Sequence, residues 1–323
     1  MTLRWILLVA LSAGLFAADQ GVNPATVPPA PVKEAPAPKQ FARAEGLISA
    51  AALAQWIAKR ETKLVVVDAR AKELYEQGHI PGSVHIGSDN LQDTDAAPYY
   101  LVSRERLRSV CKEAGIDADS CVVIYDDDEG RLAARVWFTL HAYGHDKVSI
   151  LDGGVAKWRE PLKNGAREWT TDVPRKNEGT FEPAEKLRGV ASFDDLPQFR
   201  LRVQEFGAMP AITLIDARSL AEYMGEEVRG KAGGHIPGAA NIEWSALLTG
   251  NDRARVWRSA PEIHAILRVA GIDKAQKIAV YDQAGGRSSH LYFTLWLMGF
   301  DQIFNYTAGW REYGNKDGAE VEK

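Results

Sequence analysis

Cysteine is scarce in this 323-residue chain, with only Cys111 and Cys121 present. This count excludes a disulfide-stapled scaffold and a metal site built from several cysteines. Cys111 falls late in a predicted helix and Cys121 opens the next predicted strand, so a reversal of the chain could bring them together. One structural disulfide and two unpaired thiols therefore both remain open.

Positive charge is not in excess either, since the formal net charge is −4 and the isoelectric point is near 6.0. Binding to nucleic acid or to anionic lipid depends on a basic surface, so no nucleic-acid partner is expected. No GxGxxG motif, Walker loop or Cys-His pairing occurs in the sequence. No cofactor and no metal are expected, because these motifs carry the usual sites for both.

Long hydrophobic runs are also missing. The apolar stretch from Trp5 to Ala18, preceded by Arg4, is shorter than the roughly 20 residues that span a bilayer. It has the form of a secretory signal peptide, predicted over residues 1–18, with an uncleaved anchor as the alternative. We expect a periplasmic or secreted protein with no membrane span after leader removal. Residues 19–45, rich in Pro and Ala, are predicted to form a semi-rigid linker.

The chain contains an internal repeat. Residues 64–86 return as residues 212–242, and the segment CVVIYDDDEGRLAARVWFTLHAYG returns as KIAVYDQAGGRSSHLYFTLWLMG. The second copy carries about eight extra residues between Tyr223 and His235. A repeat of this length predicts two folded domains, residues 46–162 and 191–320, joined by a polar linker over 163–190.

Within each copy, short apolar strands alternate with helical segments. Examples are LVVVDA, VVIYD and VSILDGG, and the helix ISAAALAQWIAKR has Ser49 as its candidate N-cap. Strands that are apolar on both faces predict a mostly parallel sheet covered by helices on both sides. The fold class is therefore α/β, with two tandem domains. Ligands of such sheets gather at the carboxyl ends of the strands, here the loops after VVIYD and IAVYD.

The order of motifs resembles the rhodanese family in both copies. The motifs are the DAR strand end, the GHIPGS and GHIPGA turns, the YD loop with its Gly and Arg, and the late LDGGVAKW and YTAGW segments. The resemblance is to tandem thiosulfate and 3-mercaptopyruvate sulfurtransferases, and it implies a catalytic second domain and a non-catalytic first domain. The family loop reads C-x-x-G-x-R, and Asp282 stands where its sulfur-accepting cysteine is expected.

The second-copy loop runs from strand into helix, and its two glycines allow backbone N–H groups to turn toward an anion. The candidate ligand-binding residues are Gln283, Ala284, Gly285, Gly286, Arg287, Ser288 and, in the extra segment, Arg229. A guanidinium suits an anion, although an ion pair between Arg287 and Asp282 is an equal alternative. A carboxylate cannot hold a transferable sulfur as a thiolate does, so Asp282 is not expected to carry sulfur.

The equivalent loop of the first copy consists of Asp126, Asp127, Asp128, Glu129, Gly130 and Arg131. Consecutive acids could hold a divalent cation, but acids at a helix start also stabilise the helix, and we favour that interpretation. His79 and His235 could serve as metal ligands or proton carriers. Their place in tight GHIPG turns favours a structural role.

Two functions are compatible with these features. Because Asp282 replaces the nucleophile, the main hypothesis is a binding module of the cell envelope, without classical sulfurtransferase activity, that binds a small anion or an envelope protein partner. The alternative is an enzyme, either a thiosulfate or 3-mercaptopyruvate sulfurtransferase that works atypically or an acid/base catalyst that uses Asp282 near Arg287. Thiocyanate formation from a sulfur donor and cyanide distinguishes the two.

Overall fold

The first copy folds into a five-stranded parallel sheet. The computed structural model describes residues 39–91, 101–175, 177–199, 212–251 and 254–323. The predicted leader and most of the 19–45 linker lie outside these ranges. The strands are β1 (Leu47–Ile48), β2 (Leu64–Asp68), β3 (Val84–His85), β4 (Cys121–Tyr125) and β5 (Val148–Leu151). Their order in the sheet is β1-β5-β4-β2-β3.

In the residues that the structure describes, five α-helices accompany this sheet. They are α1 (Ala50–Ala58), α2 (Lys72–Gln77), α3 (Arg104–Ala114), α4 (Arg131–Ala142) and α5 (Gly154–Trp158). Ser49 caps α1 as predicted, since its hydroxyl accepts a hydrogen bond from the N–H of Ala52 at 3.2 Å. Ser103 caps α3 in the same way through the N–H of Arg106 at 3.3 Å.

The second copy repeats the arrangement with a four-stranded parallel sheet. The described part of this copy contains six strands, four in the parallel sheet and two in a hairpin: β6 (Ile212–Asp216), β7 (Ala240–Asn241), β8 (Leu248–Thr249), β9 (Val256–Trp257), β10 (Lys277–Tyr281) and β11 (Ile303–Tyr306). The sheet order is β11-β10-β6-β7, while β8 and β9 form a separate antiparallel hairpin. The helices are α6 (Leu220–Tyr223), α7 (Ala260–Val269), α8 (Gly286–Leu297) and α9 (Gly309–Tyr313). The predicted α/β class with parallel sheets is confirmed.

The two copies pack against each other through α4 and α8, within one unit that spans Ala37–Lys323. The indole ring of Trp137 meets the ring of Phe293 edge to face at 4.8 Å, and Phe138 meets Tyr292 in the same way at 4.7 Å. All four side chains are buried in a single hydrophobic cluster drawn from both copies. Because α4 and α8 each follow a β-strand end loop, their packing brings the two loops together.

Segments after each copy complete its GHIPG turn. The backbone of Thr170, in the predicted linker, pairs with that of His79, and the backbone of Glu322 pairs with that of His235. Thr170 of the linker is therefore a structural part of the first copy, whereas Val190 at the end of the linker pairs with Asn305 of the second copy. Among the described residues, no helix is long and apolar enough to cross a membrane.

Candidate functional site

Asp282 directly follows β10, and its carboxylate is held by the loop that it begins. The carboxylate accepts hydrogen bonds from the N–H of Gly285 at 2.5 Å, the N–H of Arg287 at 2.9 Å and the hydroxyl of Ser288 at 3.1 Å. Gly285 adopts φ 90°, a left-handed conformation that suits glycine. The amides that the sequence suggested for an external anion therefore bind the chain's own carboxylate, and Ser288 is fully buried beneath it.

Arg287 forms its main ion pair with Glu222, a residue that the sequence analysis did not select. Two guanidinium nitrogens donate to the Glu222 carboxylate at 2.5 and 3.0 Å, whereas Nε of Arg287 lies 3.6 Å from Asp282. Burial acts to raise the pKa of Glu222, but the hydrogen bonds and charge of Arg287 outweigh burial and lower it to about 2. Glu222 therefore stays ionised at neutral pH and fixes the orientation of Arg287.

Arg229 lies in the extra segment, as predicted, and its side chain is exposed. Its guanidinium donates to Glu227 at 2.7 Å and lies 3.5 Å from Glu222. Its backbone carbonyl accepts a hydrogen bond from the amide of Gln283 at 3.2 Å. The extra segment is thereby joined to the Asp282 loop.

A cavity of about 640 Å³ lies above this loop, between the two copies. Among the described residues, arginines dominate its wall. The cationic residues are Arg131, Arg135, Arg229, Arg287 and Arg311. The other lining residues are Leu91, Leu132, Trp244, Asp282, Gln283, Ala284 and Gly286. The cavity has the charge of a site for a small anion.

Two of the arginines come from the first copy. Arg131 begins α4 and Arg135 lies one turn later, so both reach across the interface to the start of α8. A Cβ added to Gly285 would lie 2.2 Å from Nη1 of Arg135, and one added to Gly286 would lie 3.2 Å from Nη1 of Arg131. Close approach to Arg135 is a second reason for glycine at position 285. The sequence placed Arg131 only in the first-copy loop and did not select Arg135, because the docking of the copies determines which face of α4 meets the second-copy loop.

In the equivalent loop of the first copy, the backbone N–H groups bind the loop's own carboxylate, and the β8–β9 hairpin lies over the loop. The buried Asp126 carboxylate accepts from the N–H groups of Asp128 at 3.1 Å, Gly130 at 2.9 Å and Ala133 at 2.8 Å. Burial raises its pKa to about 6 against the effect of these bonds. The β8–β9 hairpin covers the loop, since the Trp257 ring lies only 2.3 Å from where a Cβ of Gly130 would be.

The other acids of this loop lie near arginines of the loop itself, of the first copy and of the β8–β9 hairpin. Glu129 forms an ion pair with Arg255 of the hairpin, and Asp128 forms one with Arg131. Burial raises the pKa of Asp127, which lies near Arg70. Across the residues that the structure describes, no group of three or more His, Cys, Asp or Glu side chains has the arrangement of a metal site.

Both histidines hold their turns, in agreement with the structural interpretation. Nδ1 of His79 hydrogen-bonds the carbonyl of Tyr75 at 2.8 Å, and Nδ1 of His235 hydrogen-bonds that of Tyr223 at 2.9 Å. Each imidazole also stacks on the ring of the same tyrosine, at 4.0 and 3.7 Å respectively.

Both cysteines are free thiols. Cys111 is fully buried in α3, and burial raises its pKa to about 12. Cys121 begins β4, at the end of the strand opposite to the Asp126 loop. Neither thiol lines the arginine-rich cavity.

The family model described as "Rhodanese-like domain" matches residues 49–161 and 202–316. The chain belongs to the rhodanese family. A thiosulfate sulfurtransferase of Azotobacter vinelandii is 31% identical to this tandem rhodanese over 261 residues, which cover 80% of the chain and 91% of the relative. The sulfur carrier protein TtuD of Thermus thermophilus is 31% identical over 294 residues, covering 88% of the chain and 98% of the relative.

Solved structures share the fold. The anaerobic ergothioneine biosynthesis enzyme of Chlorobium limicola, in complex with trimethyl histidine, has a TM-score of 0.73 at 24% identity, covering 88% of this rhodanese and 71% of that chain. The crystal structure of YnjE also has a TM-score of 0.73, at 22% identity, and the match covers 88% of this rhodanese and 69% of the YnjE chain.

The expected function is corrected by these relatives. A binding module of the cell envelope without sulfurtransferase activity was the main hypothesis, because Asp282 replaces the nucleophile. Relatives that align with most of this rhodanese are named for sulfur transfer and sulfur carriage, and this favours the sulfurtransferase alternative. The main hypothesis was wrong because it gave one residue more weight than the rest of the loop and its surroundings.

Proposed function

We propose that this tandem rhodanese transfers sulfur from a small sulfur-containing anion, with thiosulfate as the first candidate, to a nucleophilic acceptor. The observation that carries the proposal is the cavity over the Asp282 loop, where arginines of both copies converge. Thiosulfate is the substrate in the names of several relatives, which supports it as the donor for this chain.

The arginines suit both the donor and the leaving group. Thiosulfate enters as a dianion, and its cleavage releases sulfite, which is also negatively charged. Guanidinium groups bind oxyanions through two parallel N–H donors and stay protonated at neutral pH. Cations that are already in place around the leaving sulfite stabilise charge as it develops, and this is the usual source of electrostatic catalysis.

A route without a thiol at position 282 is direct displacement. The acceptor's lone pair attacks the outer sulfur of thiosulfate, a new bond to that sulfur forms, and the S–S bond breaks with its electron pair leaving on sulfite. With cyanide as the acceptor, the products are thiocyanate and sulfite, so atoms and electrons balance without an added oxidant or reductant. The site's part is to hold donor and acceptor in line.

In this proposal Asp282 orders the loop and carries no sulfur. Its carboxylate binds the N–H groups of Gly285 and Arg287 and thereby fixes the start of α8, while Arg287 faces the cavity. The negative charge of Asp282 opposes anion entry, and the surrounding arginines offset it.

The test is thiocyanate formation by the purified protein, given thiosulfate or 3-mercaptopyruvate with cyanide. We expect turnover with thiosulfate that survives both Cys111→Ser and Cys121→Ser, because neither thiol lines the cavity. Arg287→Gln should lower turnover, whereas Arg108→Gln, a matched change on helix α3 outside the cavity lining, should leave it unchanged. Absence of thiocyanate with both donors would refute the proposal, and loss of activity in either Cys→Ser variant would refute direct displacement.

We also propose that the protein acts outside the cytoplasm, because residues 1–18 have the composition of a signal peptide. Cell fractionation with an antibody against the folded part tests this. Recovery of the protein in the cytoplasm, with the N-terminal sequence intact, would contradict it.

A further inference from the structure

A pair of buried polar side chains lies beneath the Asp282 loop. The hydroxyl of Ser289, in α8, donates to the carbonyl of Gly285 at 2.5 Å, and its oxygen accepts from the side-chain amide of Asn305 at 3.1 Å. Both side chains are fully buried, and neither lines the arginine-rich cavity. Because Ser289 has a single hydroxyl proton, the bond from Asn305 leaves that proton for Gly285.

At the equivalent positions, the first copy carries two apolar residues. Counted from the loop glycine, Ala134 takes the place of Ser289. By strand register, Ile150 takes the place of Asn305, since each pairs with the penultimate residue of the neighbouring strand, β4 or β10. Ala134 and Ile150 are fully buried as well, so the same fold accommodates an apolar pair at this place.

The two copies also differ in the helical hydrogen bond that begins α4 and α8. The N–H of Ala134 donates to the carbonyl of Gly130 at 2.8 Å, whereas the N–H of Ser289 lies 3.3 Å from the carbonyl of Gly285. In the second copy, the hydroxyl of Ser289 therefore makes the shorter bond to this carbonyl. Replacement of both partners of a buried hydrogen bond by apolar groups is often nearly neutral, so stability alone does not call for the polar pair.

The main chain of Asn305 is held on both sides. On one side, β11 pairs with β10. On the other, the N–H of Asn305 donates to the carbonyl of Gly189 at 2.8 Å, and its own carbonyl accepts from the N–H of Ala191 at 3.0 Å. The sheet and the end of the linker thus fix the residue whose side chain bonds Ser289.

The bond to the carbonyl of Gly285 orients the next amide of the chain. The carbonyl of Gly285 and the N–H of Gly286 belong to one planar trans peptide and point in opposite directions. Since the carbonyl is held toward the buried Ser289, the N–H of Gly286 points away from it, and Gly286 lines the cavity. Asp282 binds the N–H groups of Gly285 and Arg287, but not that of Gly286.

We propose that Ser289 and Asn305 are positioning residues, which hold the peptide between Gly285 and Gly286 so that the N–H of Gly286 faces a substrate anion in the cavity. The first copy needs no such pair, because the β8–β9 hairpin lies over its loop. The effect on turnover rests on the proposed function, whereas the orientation of the peptide can be measured in the protein without ligand.

The main variant carries the apolar pair of the first copy, Ser289→Ala with Asn305→Ile, in the full chain. Labelling with ¹⁵N-glycine reports the amide signal of Gly286 without ligand. We expect this signal to shift in the double variant and in Ser289→Ala, because the bond to the preceding carbonyl is lost. Ser120→Ala, which removes a buried hydroxyl that accepts the N–H of Asp117 at 2.9 Å, is the matched control and should leave the signal in place. An unchanged Gly286 signal in both loop variants would overturn the proposal.

Thiosulfate titration by calorimetry, without an acceptor, and urea denaturation separate positioning from stability. We expect the double variant to bind thiosulfate about threefold to tenfold more weakly, the range of one hydrogen bond, with a free energy of unfolding no lower than that of the wild type. Asn305→Ile should add little to the loss in a chain that already carries Ser289→Ala, because Asn305 acts through Ser289. Wild-type affinity in the folded double variant, or weaker binding in step with a large loss of stability, would refute a positioning role. If the double variant does not fold, Ser289→Ala alone supplies both measurements.

The positioning role and the proposed function can fail separately. A shifted Gly286 signal, together with no thiosulfate binding by the wild type, would support the positioning role and refute thiosulfate transfer. Thiocyanate formation by the double variant with the kcat and KM of the wild type would refute the positioning role and leave sulfur transfer in place.

Discussion

Replacement of Glu222 by Gln should lower stability and raise anion affinity at the same time. Glu222 is almost fully buried, at 1% exposure, and it neutralises Arg287 at the wall of the cavity. Glutamine keeps the size of the side chain but removes the charge. Arg287 then keeps the more distant Asp282 carboxylate, 3.6 Å from its Nε, as a counter-charge, with a further contribution from Asp216.

The magnitude follows from the pKa of Glu222, which falls from its ordinary 4.5 to about 2. That difference corresponds to about 3 kcal/mol, and solvent near the exposed Arg229 reduces it to about 2 kcal/mol. The folded-state pKa lies below the unfolded one, so this contribution is fully present above pH 4.5. It is lost as the pH falls toward 2.

The assay is thermal and urea denaturation of wild type and Glu222→Gln at pH 7 and at pH 3. At pH 7 we expect a loss of about 2 kcal/mol, or about 4 °C in Tm for a protein of this size, and a smaller difference at pH 3. Thiosulfate should bind more tightly to the variant, because the positive charge of Arg287 is less compensated. The exposed Glu226 provides the control, Glu226→Gln, which should change neither property. Unchanged stability at pH 7, or weaker thiosulfate binding, would refute this account of the pair.

Further substitutions test the loops and the interface. Asp282→Cys should load one sulfur atom from thiosulfate, visible by mass spectrometry, because the same amides can stabilise a thiolate; an unmodified thiol would show that the loop has diverged beyond this residue. Gly285→Ala should lower the free energy of unfolding by several kcal/mol and weaken thiosulfate binding, since φ of Gly285 is 90° and Arg135 occupies the space of the added methyl group. Wild-type stability in denaturation and wild-type affinity in calorimetry would contradict the close approach of Arg135. Asp126→Asn tests the raised pKa of Asp126, about 6. The native state holds the proton of Asp126 more tightly than the unfolded chain does, so protonation stabilises the wild type at low pH. The stability advantage of the wild type over the variant should therefore shrink, by up to about 3 kcal/mol, as the pH rises from about 4 to about 6. Urea titrations across this range measure it, and an advantage that grows with pH would show that the sign is wrong.

The fold could be predicted from the sequence because its signals are local. Buried parallel strands are short apolar runs, and the repeat shows them twice, so β2, β4, β6 and β10 were all recognisable. Ser49 was identified as an N-cap from its position before an apolar-periodic segment. The role of the linker was not recognisable, because Thr170 pairs with His79 across a distance that no local pattern encodes.

From the sequence, we could select only those site residues that lie in the Asp282 loop or in the extra segment of the second copy. Asp282, Arg287 and Arg229 were located because the second copy and its extra segment contain them. Glu222 could have been suspected from the Ser219-x-x-Glu222 capping box, but its bonds to Arg287 depend on how α6 faces α8. Arg135 required knowledge of the interface between the copies, which arises from the packing of two apolar helix faces and has no fixed register in the sequence.

The shared aromatic cluster between α4 and α8 has a consequence for how the molecule comes apart. Trp137 and Phe293 lie in one continuous core, so separating the copies would expose large rings of both to water. The two copies should consequently melt in one cooperative transition, with neither persisting as a native intermediate. A gene fragment that encodes a single copy would present an uncovered apolar helix, and its product should aggregate rather than accumulate as a half-sized domain.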